Sequence, residues 1–348
     1  MKSKLKGIAL LFVISLQMTG VRAVAIEKTK EFHEKWPVSA VQTLQVINKF
    51  GEVKVNNNGG NEVTIDVVVT VEASSESRAN DLLDQIHVAF GKTGGTARAE
   101  TEIDNNFKSR NRFSIDYTIN IPPDKNLNIS NKYGNTIVNE LNASGEFDIQ
   151  YGNFTANALE ASSATSMRVS LSYGKAEINS TSDIDVDVKY STINFGEMDN
   201  LKLLSKYSVV NIEEAKAIKI DSKYDTFNFE EIEALEALTK YSHFKIGELK
   251  KRLKIDSGYG GIRVDQVTSG FESISIENSY GQIKLGLDDA SYSLDASCSY
   301  CGISYPEEDF TGNRMSENTS KTVKGKVGKA AGGTVYIRSR YGEIKLDE

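Results

Sequence analysis

Between Leu201 and Val267 the chain repeats one apolar–polar pattern every 17 or 18 residues: LKLLSKYSVVNIEEAKA, IKIDSKYDTFNFEEIEA, LEALTKYSHFKIGELKKR and LKIDSGYGGIRVDQV. Each unit centres on Ser/Thr–Lys/Gly–Tyr. Around Tyr224 apolar or small residues fall at Ile218, Ile220 and Ser222, then at Phe227 and Phe229, then at Ile232. The following units place Leu235, Ala237, Thr239, Phe244, Ile246 and Leu249, then Leu253, Ile255, Ser257, Ile262, Val264 and Val267, at the same phases. A spacing of two means strand with one inward face. The inward parity stops two residues before Tyr and restarts three residues after it, so the chain turns a corner there. No run of 3.6-residue periodicity competes, and the inward set is rich in Ile, Val and Phe. A period near 20 marks a solenoid, whose single coil cannot bury its apolar face alone.

The pattern predicts an all-β, single-stranded β-solenoid with coils of 17–22 residues. The residue after each Tyr is Gly134, Gly152, Gly174, Ser191, Ser208, Asp225, Ser242, Gly260, Gly281 or Gly342. Gly accepts positive φ and Ser or Asp braces turns, so this position is expected to make the corner. Stacked strands lie about 4.8 Å apart, which gives eleven Tyr-centred units a length of roughly 50 Å. Equivalent residues then form ladders: Tyr133 to Tyr341; Lys132, Lys189, Lys206, Lys223 and Lys240; Glu140, Glu197, Glu214, Glu231 and Glu248. Like charges at that spacing repel by about 1 kcal/mol per neighbour in water. Such ladders must be solvated or neutralised.

The rest of the chain frames this core. Residues 1–25 read as an export signal: Lys2, Lys4 and Lys6, an apolar Gly7–Leu16 stretch and an Ala23-Val24-Ala25 cleavage site, with the mature chain expected from Ile26. The apolar stretch is too short for a comfortable membrane span, no Cys suggests a lipid anchor, and no later apolar run suggests a transmembrane anchor. Residues 26–123 read as a lead-in and a β-rich cap. Within it Glu27–Pro37 is expected to be a loose, polar lead-in. Val41–Val55 is expected to form two strands around Asn48-Lys49-Phe50-Gly51, a degenerate corner. Ser74–Ile86 is the best helix, with Ser75 as its cap. Strands are expected at 63–71, 87–90, 97–103 and 112–121, with a turn at 91–95. Residues 124–348 are solenoid, interrupted by an irregular or mobile loop at 306–333 and closed by a last coil at 334–346, with no translocator barrel or sorting domain after it.

Composition narrows the function classes. A net charge of −7 argues against general nucleic-acid binding, which needs a basic surface. Four prolines and no low-complexity tract argue against disorder.

The INKFGEVKV strand pair, the helix in a β-rich start, the INIPPDKNLNISNKYGNTIV junction, SYGQIKL, the Gly-rich loop and the closing RSRYGEIKL resemble one family. It is the exported bacterial β-strand-repeat family named "putative adhesin", common in Bacteroidetes-like genomes and of unknown function. The resemblance spans most of the mature chain and implies a β-solenoid with an adhesive role. It brings no catalytic residues. This chain departs from it in the regularity of its KY-centred coils, which lengthens the rod.

Candidate chemistry is sparse. Cys298 falls in the inward column and Cys301 at the corner, so two readings stand: a disulfide between them, or a buried Cys298 with an independent Cys301. A redox C-x-x-C lacks its βαβ context, and a zinc site lacks two further ligands. His33, His87 and His243 are isolated, with His243 expected at the surface, and no nucleophile elbow exists for Ser/His/Asp chemistry. The Glu ladder has no distinguished pair of acids. KGKVGKAAGG is not a phosphate-binding loop. Tyr190, Tyr207, Tyr224, Tyr241 and Tyr259 could form a binding ladder, or could stack for structural reasons alone. No catalytic residue, cofactor or metal is expected. The leading expectation is a non-enzymatic exported adhesion, scaffold or surface-interaction module with an envelope or extracellular glycan or protein partner, in the periplasm or at the cell surface. A carbohydrate-binding or carbohydrate-active solenoid, and a periplasmic envelope-stress or regulatory protein, are the alternatives.

Overall fold

The computed structural model describes residues 25–57, 60–160, 166–288, 290–329 and 332–346; the expected export signal lies outside them. Parallel strands stack coil on coil around one apolar core. In the central coils single strands run from one corner to the next: Lys175–Lys189, Thr192–Lys206, Val209–Lys223, Thr226–Lys240 and His243–Tyr259. Register holds every column. Phe229 lies between Ile212 and Ile246, and Lys223 lies between Lys206 and Lys240. Ile218, Ile220, Ser222, Phe227, Phe229 and Ile232 are all buried, as the alternation requires.

The corner is made differently from expectation. The aromatic residue itself takes the left-handed conformation, with φ of 51–64° at Phe50, Tyr133, Tyr151, Tyr173, Tyr190, Tyr207, Tyr224, Tyr241, Tyr300 and Tyr341. Only at the Tyr259 and Tyr280 levels does positive φ move to the next residue, Gly260 or Gly281. Elsewhere the small residue after Tyr serves close approach between coils. A Cβ on Gly134 would sit 1.8 Å from the Gly51 carbonyl oxygen.

Both ends depart from simple sequence order. Ile26–Pro37, expected as a loose lead-in, is a strand paired antiparallel along its whole length with Glu62–Ala73. Its half-buried face mixes Ile26, Phe32 and Trp36 with the stems of Lys28, Lys30 and Glu34, and Lys30 Nζ donates to the Leu83 and Ile86 carbonyls. The corner at Phe50 joins Thr43–Lys49 to Val53–Asn56, and this coil stacks directly on the Tyr133 coil. On its other side lie Thr96–Ile103 and Phe113–Asn120, also parallel to it. Outside those, Ile86–Thr93 and Glu62–Ala73 pair antiparallel and end the parallel stacking. The expected turn at 91–95 shrinks, because this strand runs to Thr93. The helix Glu76–Leu83 joins these two outer strands. Ser75 accepts the Arg78 N–H, and Ala79, Leu82 and Leu83 are buried. Ile86 begins the next strand and is not part of the helix.

The far end repeats the device. Gly333–Arg340 runs between Ser273–Tyr280 and Tyr292–Ser299, parallel to both. Ile344–Lys345 likewise runs between Ile283–Leu285 and Ile303–Ser304. The last coil in sequence is therefore slipped inside the stack. The expected loop at 306–333 contains an antiparallel hairpin, Phe310–Glu317 with Ser320–Val327, laid against Tyr292–Ser299. Asp295 ties it down, bonding Lys324 of the hairpin at 3.1 Å and Arg338 of the inserted coil at 2.8 Å. Burial works against the Asp295 carboxylate, but Lys324 and Arg338 outweigh it and hold its pKa below the usual value. Antiparallel strands end the parallel stack at each end.

Candidate interaction surface

The corner aromatics form one continuous stack: Phe50, Tyr133, Tyr151, Tyr173, Tyr190, Tyr207, Tyr224, Tyr241, Tyr259, Tyr280, Tyr341 and Tyr300. From Tyr173 to Tyr280 successive ring centroids lie 4.6–5.0 Å apart with planes within 2–4° of parallel. Each tyrosine in the stack remains 42–56% exposed. The ladder is structural stacking, and its tyrosines are at the same time exposed. The ring faces are used up by their neighbours. What reaches solvent is ring edges and hydroxyls, and among the described residues no hydroxyl from Tyr133 to Tyr280 has a hydrogen bond to protein.

Behind the rings the corner is polar and closed. Ser205, Ser222, Thr239 and Ser257 form a buried column, in which Ser222 Oγ donates to Thr239 Oγ1 at 2.7 Å. In the column after Tyr each side chain accepts the backbone N–H of the preceding coil. Ser191 takes Gly174, Ser208 takes Ser191, Asp225 takes Ser208 and Ser242 takes Asp225. Asp225 is buried within this chain of bonds. Burial pushes its carboxyl up to about 6, against the pull of the Ser208 and Lys223 N–H groups.

The charged ladders resolve in opposite ways. Glu197, Glu214, Glu231 and Glu248 are in register, but lysines interleave them. Lys250 pairs with Glu231, which raises the lysine pKa, and Glu248 and Glu214 add to the effect. Nearby, Lys216 bonds Asp199 and Lys251 bonds Glu233, each at 2.6 Å. Within the ladder itself only Glu231 has a lysine at salt-bridge distance among the described residues. On the lysine ladder, Lys189 bonds Asp187 at 3.1 Å, and Lys132 lies over the Tyr133 and Tyr151 rings. Lys206, Lys223 and Lys240 have no carboxylate within salt-bridge distance among the described residues.

One column escaped the sequence reading. Asn194, Asn211 and Asn228, each four residues after a Tyr, form an amide ladder: Asn211 donates to Asn194 at 2.7 Å and Asn228 to Asn211 at 2.9 Å. They floor a groove of ≈ 940 Å³ that also holds Glu177, Glu213, Glu230 and Lys245. The fixed spacing from Tyr was the signal that could have revealed it. His243 is exposed and its Nδ1 accepts the Gly261 N–H at 3.1 Å. His33 bonds Asp66 at 2.6 Å, so neither joins the ladder. Cys298 is buried in the inward column and Cys301 stands at the corner, with Cα atoms 5.6 Å apart and their sulfurs together. Among the described residues no group of three His, Cys, Asp or Glu could hold a metal, and no helix is long and apolar enough to cross a membrane.

Solved structures with related architecture exist. The chain is similar in fold to bacterial putative adhesins. One, from Parabacteroides distasonis, shares 9% identity over 74% of this chain and 97% of its own, with a TM-score of 0.44. A putative adhesin from Bacteroides fragilis shares 17% over 74% and 97%, with a TM-score of 0.32. A putative cell adhesion protein from Clostridium sporogenes shares 12% over 92% and 99%, with a TM-score of 0.22. No family model and no curated protein matches the chain. Each likeness concerns architecture alone.

Proposed function

We propose that this chain is an exported, non-enzymatic β-solenoid that works as an adhesion or scaffold module, in the periplasm or at the cell surface. Its contact surface is the Tyr/Lys corner. The observation that carries this reading is the ladder itself. Tyr190, Tyr207, Tyr224, Tyr241 and Tyr259 present ring edges and hydroxyls in strict register beside unpaired lysines. A rigid row of identical donors favours multivalent binding, in which many weak contacts add.

The test is a binding screen of the purified protein against glycans and envelope fractions. Tyr207→Phe, Tyr224→Phe and Tyr241→Phe together keep the stacking and remove three hydroxyls. Binding should weaken at least tenfold with the fold unchanged. Undiminished binding by that variant would move the site elsewhere. The Asn194/Asn211/Asn228 groove supports a second reading, a carbohydrate-binding face distinct from the corner. Asn211→Ala should then be the variant that loses binding.

A further inference from the structure

We infer that the corner takes a linear anionic polysaccharide, lying parallel to the rod with one sugar ring per coil and the carboxylates of alternate rings on alternate lysines of the Lys189, Lys206, Lys223 and Lys240 ladder. The inference rests on the proposal that the Tyr/Lys corner is the contact surface.

Register supplies the first argument. Lys189, Lys206, Lys223 and Lys240 are direct neighbours on adjacent strands, so cations recur at the strand spacing of about 4.8 Å. The repeat of an extended chain of pyranose rings is comparable. A uronic-acid polymer in that conformation offers one carboxylate per ring, on alternating sides of the chain, so the carboxylates of every second ring meet every second lysine.

Charge supplies the second. Neighbouring ammonium groups at this distance repel by about 1 kcal/mol in water. In the glutamate ladder Glu231 is paired with Lys250, whereas Lys206, Lys223 and Lys240 have no carboxylate partner among the described residues. A line of anions relieves that repulsion. The flanking outward column alternates Asp187, Leu204, Asp221, Leu238 and Asp256, in which Leu204 and Leu238 are 49% and 55% exposed. On the other side of the rings stand Thr192, Val209, Thr226 and His243, none of them an acid. Asp187 already engages Lys189, and Asp221 and Asp256 are the acids of this column that oppose the ligand, beside Lys223 and next to the Lys240 level.

Ring geometry supplies the third and separates sugar from nucleic acid. Single-stranded nucleic acids bind by stacking bases on open aromatic faces. These faces are closed by the neighbouring tyrosines at 4.6–5.0 Å. Phenol hydroxyls aimed outward in a row match the hydroxyls of a sugar chain.

The experiment is titration calorimetry of the full protein with polymannuronate, with a neutral glucan of matched length and with oligothymidylate. Polymannuronate should bind, more weakly as salt rises, and the glucan and oligothymidylate should bind at least tenfold less tightly. The triple variant Lys206→Gln, Lys223→Gln, Lys240→Gln should lose at least tenfold in affinity and flatten the salt dependence, with a melting temperature equal to or above that of the parent. Equal binding of the neutral glucan, or an unaffected triple variant, would overturn the polyanion inference. In that case a loss of binding by the Tyr-to-Phe variant would still leave the corner as the contact surface. Equal binding of oligothymidylate would show an unselective cationic stripe and overturn the polysaccharide assignment. If no polyuronate binds, the inference fails outright.

Discussion

Asp225 Oδ1 accepts the backbone N–H of Ser208 at 2.7 Å, from inside a column filled elsewhere by serine, glycine and Cys301. Its other oxygen accepts the Lys223 N–H at 3.0 Å. The carboxylate thus replaces a serine hydroxyl as the bond that ties one corner to the next. The cost is a buried charge, and burial is the main reason its pKa rises.

That shift predicts a pH dependence. The folded-state value is about 6, against an ordinary 3.8. Between those values the folded chain keeps the proton and the unfolded chain has released it. Stability from this group is therefore full below about pH 4 and is lost as pH rises through 6. The shift converts to about 3 kcal/mol at most, at 1.36 kcal/mol per unit. Urea midpoints at pH 4, 5, 6 and 7 should show this loss in the parent relative to Asp225→Ser, whose hydroxyl copies Ser208 and Ser242. Parallel profiles for the two proteins would show that Asp225 does not titrate in this range.

Tyr207 holds φ at 55° while stacked between Tyr190 and Tyr224. Left-handed backbone costs a non-glycine residue about 1–2 kcal/mol, and ring contacts offset it by about 0.5–1.5 kcal/mol each. Tyr207→Ala keeps the strain and loses the contacts. Tyr207→Gly loses the contacts and the strain, less the extra entropy of an unfolded glycine. Glycine should therefore be the milder substitution by roughly 1 kcal/mol, reversing the usual order for extended strands. Thermal melts of the two variants decide it.

Phe229 and Lys223 lie on opposite sides of one coil. Phe229 is buried between Ile212 and Ile246, and Phe229→Ala should destabilise by roughly 3–5 kcal/mol. Lys223→Ala removes one member of a repelling column and should leave the midpoint unchanged or slightly raised. Equal losses in the two variants would contradict the observed faces.

Cys298 and Cys301 occupy columns that other coils fill with Ser339 and Gly342. We expect a disulfide in protein kept under oxidising conditions, seen as a two-proton mass deficit without reductant. So short a loop contributes about 2 kcal/mol at most. The double variant Cys298→Ser, Cys301→Gly restores the ordinary corner and should fold with only a modest loss. A full complement of free thiols in protein isolated from the envelope would exclude the bond.

The central coils were readable because two periods coincide in them. Alternation assigns Phe229 and Ile246 to the core, and the recurrence of Tyr sets the phase of each corner. The ends were not readable, for a definite reason. The pattern within a coil says which residues face inward, but it does not say which coil lies next. Gly333–Leu346 carries the same signature whether it caps the stack or slips between the Tyr280 and Tyr300 levels, where it lies. Ile26–Pro37 was hidden because Lys28, Lys30 and Glu34 interrupt Ile26, Phe32 and Trp36 at its half-buried positions. The ladder was visible in sequence, but its closed ring faces were not. They follow from left-handed tyrosines, a conformation that aromatic residues rarely adopt.

Deleting Ser208 to Tyr224 removes one whole coil and tests whether function is spread along the rod. Tyr207 is then followed by Asp225, as Tyr224 is now. Register survives, because Ser208 and Asp225 are equivalent and Val209 pairs with Thr226. Ser191 N–H then meets the Asp225 carboxylate in place of the Ser208 hydroxyl. Nearest-neighbour stacking implies a folded, shorter rod that lacks one interface. Removing an eighteenth residue would shift the parity, expose the apolar columns and abolish folding. The shortened rod loses Tyr224 and Lys223, and its polyuronate affinity should fall by a fraction rather than vanish. The optimum oligomer length should shorten by one sugar ring. Unchanged affinity would place binding at the N-terminal cap or the 306–333 hairpin. Complete loss in a rod shown to be folded would place it in the deleted coil alone. Either result would refute a site distributed along the ladder.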